Sequence, residues 1–203
     1  MKLSIIILVA FIIGTVTGFS SILPERFIPV NITDITLYFL IFAVGFMVGA
    51  NSRIWNYLKK KNLRILMVPL LTVVGTLLGG LLISPFISGH DLFEVLSVCS
   101  GFGYYSLSSV LITGIKGELL GITALMSNLF RELFTLLFAP VMVRVFGKIA
   151  PIASGGATTM DVTLPVIYKF SGEEYSIIAI VSGFVLTLLV PIMVPAFLSF
   201  SCR

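Results

Sequence analysis

The sequence predicts an all-α polytopic membrane protein, with about five full transmembrane helices and two broken or re-entrant membrane segments, in a single domain over residues 1–203. Three observations carry this. Hydrophobic residues make up 58% of the chain and charged residues 11%, against about 25% charged in a soluble domain. Five apolar runs, at about 3–23, 35–52, 64–87, 118–144 and 174–200, each approach the roughly 20 residues that cross a bilayer. Two further runs, about 94–114 and 149–168, are apolar but rich in Gly, Ser and Thr. Broken backbone of that kind is tolerated at membrane depth only when buried in protein or lining a wet cavity.

Taken in order, the first run follows Lys2 and has the outline of a signal peptide. Its length, and the spans behind it, make it a first transmembrane helix instead. The basic residues gather at Arg53–Arg64, between the second and third runs, as in a cytoplasmic loop. The pI of 9.2 is therefore a matter of membrane orientation, and no nucleic-acid partner is expected. The third run contains "GTLLGG" (Gly75–Gly80), a small-residue pattern of helix packing.

Orientation follows from charge. With Lys2 and Arg53–Arg64 inside, "SGHDLFE" (Ser88–Glu94) lies outside. If residues 94–114 cross fully, Arg144 and Lys148 fall outside. If that segment enters and returns from the outside, both fall inside, although Lys116 then lies outside. The positive-inside rule favours the second arrangement. With residues 149–168 re-entering from the cytoplasm, the C-terminus is outside. Two broken segments entering from opposite faces match the layout of secondary transporters, whose discontinuous helices meet near the midplane.

Several chemistries lack a signal. Cys99 and Cys202 are the only cysteines and form no disulfide framework or metal spacing. His90 is alone in a short polar loop. No CxxC, Walker A or HExxH motif occurs, so neither enzyme activity, cofactor nor metal is expected. The Gly-x-Gly at Gly101–Gly103 lacks the strand context of a dinucleotide site.

Three ionisable residues fall deep in the apolar runs: Arg131, Glu132 and Asp161. A charge at a helix centre costs roughly 2.5–3.5 kcal/mol on the insertion scale, so all three must face protein or water, and each marks a functional site by default. Asn128 and Glu132 stand four residues apart and share a helix face. Arg131 and Glu132 are adjacent and point about 100° apart, too far to pair within one helix. Each needs a partner elsewhere. Both can instead be structural, one pairing with another helix and one capping broken backbone.

The stretch "GGATTMDVTLP" (Gly155–Pro165) combines a Gly-Gly pair with Thr158, Thr159, Asp161 and Thr163. The glycines permit a turn or a close helix approach. Pro165 favours extended geometry at Leu164. A carboxylate beside free carbonyls suits a cation or a proton; Asp161 can equally cap a half-helix. "SGFGYYSLSS" (Ser100–Ser109) supplies Tyr104, Tyr105 and Ser106. Tyrosine faces attract an ammonium by roughly 0.5–2 kcal/mol, and an aromatic pair at the membrane interface is the competing explanation.

These motifs, with "NLFREL" (Asn128–Leu133) and the closing "SGFVLTLLVPIMVPAFL" (Ser182–Leu198), resemble in order and spacing the bacterial and archaeal lysine exporters of the LysO type. The resemblance covers essentially the whole chain and is strongest from Ser97 onward. It implies a multi-pass protein of the cell membrane that exports L-lysine and its analogue thialysine, with the family's membrane carboxylates at Glu132 and Asp161. Longer members of the family carry additional N-terminal helices. This chain resembles the short form, which implies a homodimer or a small membrane protein supplying the missing N-terminal portion.

The expected function is thus a secondary transporter in which a cationic amino acid and protons compete for intramembrane carboxylates. Carboxylates in low-dielectric cavities exchange protons near neutral pH. Lysine, ornithine and arginine are not separated by the residues themselves. A sodium or proton antiporter of similar architecture, or a non-transporting subunit that scaffolds a partner, are the alternatives.

Overall fold

The computed structural model describes residues 63–201 and the isolated positions Val16, Phe39, Phe42 and Phe46. Apart from those positions, the expected spans at 3–23 and 35–52 and most of the basic cluster lie outside the described residues. The chain divides into two compact units, Met1–Tyr38 and Phe39–Arg203. All elements below belong to the second.

The regular elements among the described residues are all helical. Helix α1 is Leu63–Ile83, followed by a 3-10 turn at Ser84–Phe86; α2 is Leu92–Cys99, α3 Tyr105–Lys116 and α4 Glu118–Phe146. Then come α5 (Ala150–Gly155), a 3-10 turn at Gly156–Met160, α6 (Leu164–Ser171) and α7 (Glu173–Phe200). Two stretches, Ile65–Phe86 and Glu173–Phe200, are long and apolar enough to cross a membrane. Helix α4 has 29 residues, about 43 Å at 1.5 Å per residue. It has the length to span, and polar residues interrupt its centre.

The buried positions of α4 include Leu120, Ala124, Asn128, Glu132, Thr135, Ala139 and Met142. This three-to-four spacing defines one inward stripe. Leu119, Ile122, Phe130, Phe134, Leu137, Val141 and Val145 are exposed on the rest of the helix, as suits a surface against lipid.

Both Gly/Ser/Thr-rich segments are broken where the sequence predicted. The first stops after Cys99 and resumes at Tyr105. Its start and end lie together: Glu94 Oε1 is 3.4 Å from Lys116 Nζ. Ser201, just past α7, accepts from Lys116 Nζ at 2.8 Å. This segment therefore begins and ends at the same end of the bundle, where α7 finishes. Asp91 caps α2 in a reciprocal box with Glu94. The second segment behaves likewise at the opposite end. Lys148, before α5, lies over the ring of Tyr175, at the start of α7, 5.5 Å from its centroid. Val68 of α1 packs there with Ile152, Ile167 and Ala179.

One local expectation is revised, and another is met in part among the described residues. Leu164 is not extended but opens α6, with Pro165 in the first turn, where a missing N–H costs nothing. Of the "GTLLGG" glycines, Gly80 meets another helix: a β-carbon there would lie 3.0 Å from Cys99 Sγ. Gly75 and Gly79 face open space among the described residues.

Candidate functional site at the crossing of the broken segments

The two breaks meet backbone to backbone. Ala157 N donates to Phe102 O at 2.8 Å. A β-carbon on Gly156 would overlap Phe102 O, and one on Gly103 would lie 2.7 Å from Gly155 O. Both glycines also hold positive φ, 65° and 95°, so only glycine fits either position without strain. Phe102 is fully buried and left-handed at φ 45°, a conformation rare for a bulky residue and a mark of local strain.

Helix α4 supports this crossing along its inward stripe. Asn128 accepts from Gly103 N at 2.8 Å and donates Nδ2 to Val98 O at 3.1 Å and Ala124 O at 2.9 Å. Its amide thus closes the first break. One turn on, Arg131 donates Nε to Ser154 O at 2.7 Å and Nη2 to Ala153 O at 3.0 Å. Those are carbonyls near the end of α5, where no helical N–H remains to satisfy them. Thr135 donates to Arg131 O at 2.9 Å and shares a hydrogen bond with Ser154 Oγ at 2.7 Å. The second break closes on itself and onto α7: Thr158 Oγ1 donates to Gly155 O, and the Thr159 hydroxyl lies within hydrogen-bond distance of both Gly156 O and Ala179 O of α7.

Glu132 differs from these neighbours. It is only 6% exposed, and its Oε2 is buried with no hydrogen-bond partner among the described residues. A buried, unpaired carboxylate oxygen is costly and calls for an explanation. Asp161 lies within electrostatic range of Glu132, and both act on Tyr105. Tyr104 feels Asp161 as well. Asp161 is exposed, and its Oδ1 accepts from Val162 N at 2.6 Å. This is a local turn, one residue before Thr163, the N-cap of α6, which makes no side-chain cap. Tyr104 and Tyr105 are half-buried and Ser106 is exposed at the start of α3.

The structure therefore sorts the sequence-predicted residues. Asn128, Arg131, Thr158 and Thr159 spend their polar groups on backbone. Among the described residues Glu132 Oε2 makes no hydrogen bond, while Tyr104 and Tyr105 are half-buried and Ser106 and Asp161 exposed. The supporting role of Thr135 and Ser154 escaped the sequence reading. Thr135 stands four residues after Arg131 and could have been found by that spacing; the pairing with Ser154 is tertiary.

Discontinuous helices that meet inside a helical bundle are how many membrane transporters frame a substrate site; here two broken segments cross, and Glu132 Oε2 on the supporting helix has no hydrogen-bond partner among the described residues. The chain belongs to the lysine exporter LysO family, whose model matches residues 8–198. It is similar to the lysine exporter LysO of Escherichia coli K12, at 38% identity over 165 residues, 81% of this chain and 54% of that protein. It is also similar to a Haemophilus influenzae protein described as "Putative lysine exporter", at 38% identity over 139 residues, 68% of this chain and 70% of the relative. The chain spans about half the length of the Escherichia coli relative. No solved structure matches it.

Proposed function

We propose that this protein exports L-lysine, and with it thialysine, by exchange against protons at the crossing of its two broken segments. The observation that carries the reading is the buried Oε2 of Glu132, without a hydrogen-bond partner among the described residues, with Asp161 in electrostatic range. A carboxylate pair attracts a side-chain ammonium, and it also takes a proton. Cargo and proton compete for the same oxygens, so inward proton flow drives outward lysine flow. Tyr104 and Tyr105 offer ring faces to the ammonium. Asn128, Arg131, Thr158 and Thr159 hold the broken backbone in place and act as positioning residues.

The topology belongs to the same reading. Residues 94–114 re-enter from the outside and 149–168 from the cytoplasm. Support comes from the Glu94–Lys116–Ser201 group at one end and the Lys148–Tyr175 contact at the other. The names of the family and its relatives support lysine as the cargo.

The test is lysine efflux from loaded proteoliposomes, with and without an inward proton gradient. Efflux accelerated by the gradient supports the proposal. Efflux indifferent to protons but driven by sodium contradicts the coupling, and absence of lysine movement contradicts the cargo.

A further inference from the structure

Resting on the lysine and proton reading above, we infer that Arg131 sets the net charge of the cargo: it is a fixed cation that, set against Glu132 and Asp161, leaves the crossing with a single net negative charge. Arg131 is anchored by two carbonyls, at 2.7 Å and 3.0 Å. A β-carbon on Gly156 would lie 3.5 Å from its Nη2, so the guanidinium rests against the turn where the two segments touch. Its hydrogen bonds go to neutral carbonyls. The ion pairs among the described residues are His90–Glu94 and Lys116–Glu94, both remote from the crossing. Among the described residues no carboxylate is paired with Arg131, so its charge acts on Glu132 and Asp161 together.

One cation against two carboxylates accepts one further positive charge. Lysine, with two ammonium groups and one carboxylate, carries that charge. A proton carries it too. A diamine of the same length, cadaverine, carries two and overcharges the site. Specificity is a difference of affinities, and a fixed like charge beside the cargo is the repulsive element that makes it. One lysine exchanged for one proton moves no net charge across the membrane.

Competition binding to the purified full chain separates this role from a merely structural one. Lysine and cadaverine are titrated against wild type, Arg131→Lys and Arg131→Gln. Wild type and Arg131→Lys should prefer lysine. Arg131→Gln should shift the lysine-to-cadaverine preference toward cadaverine by about tenfold or more, the scale of removing one like charge from a recognition site. A folded Gln variant that keeps the wild-type ratio, or weakens both ligands in parallel, overturns the charge count. A second measurement needs no variant: lysine–proton exchange by wild-type proteoliposomes should proceed at one proton per lysine and ignore an imposed membrane potential. A potential-dependent rate, or two protons per lysine, overturns it as well. Wild type that binds no lysine removes the function beneath the inference, and both fall together.

Discussion

Asn128, Arg131, Glu132 and Thr135 occupy little more than two turns of α4, yet among the described residues only Glu132 of these four leaves a fully buried polar atom without a hydrogen bond. That contrast underlies the proposed roles. Glu132→Gln and Asp161→Asn preserve shape and hydrogen bonding while removing charge. Each should abolish lysine export and thialysine resistance at unchanged protein level. Full resistance in cells carrying Asp161→Asn would leave Asp161 as a turn former, since Asn and Asp serve about equally at such positions. The sequence could show that Asn128 and Glu132 share a face, because that follows from helix geometry. It could not show that Asn128 is consumed by Gly103, 25 residues earlier, because that bond exists only once the segments have folded together. Glu94 illustrates the same limit outside the spans. Burial opposes its charge, but hydrogen bonds with the His90 ring, the Asp91 amide and Lys116 outweigh it and hold its carboxyl below the ordinary 4.5. The unfolded chain keeps the ordinary value, so this junction adds stability above it and loses that stability as pH falls through the lower folded value. Glu94→Gln should flatten the decline of melting temperature at acid pH; an equally steep decline in the variant would contradict the pairing.

At the scale of elements, the broken segments were the most legible feature. Gly, Ser and Thr concentrated in otherwise apolar runs cannot stay as lipid-facing helix, and the breaks fall at Ser100–Tyr104 and at Gly156–Thr163. Their crossing was not legible. Mutual approach through Gly103 and Gly156 depends on tertiary packing, and Phe102, the residue at the contact, reads in sequence as ordinary core. The Asp91-x-x-Glu94 capping box was visible by type but went unread, and with it the point where both ends of the first hairpin meet α7. Single cysteines at Ser88 and at Lys148, in a background without Cys99 and Cys202, should react with impermeant reagent from opposite sides of the membrane. Reaction from the same side would mean that residues 94–114 cross fully.

At the scale of the molecule, Asp161 is exposed among the described residues. A charge facing lipid at mid-depth costs roughly 2.5–3.5 kcal/mol, so its surroundings must be a wet cavity or further polypeptide. The chain also spans about half of its Escherichia coli relative. If further polypeptide is what covers Asp161, purified protein should run as a dimer or carry a small membrane protein with it. A monodisperse monomer that exports lysine at full rate would contradict this. The central claim is that cargo and proton share one carboxylate site, and proton release on lysine binding tests it most directly. Purified protein in weak buffer is mixed with lysine while a pH indicator reads the solution. Wild type should release protons in proportion to lysine bound, with the release lost in Glu132→Gln. Lysine binding without proton release, or release undiminished in Glu132→Gln, would contradict the account.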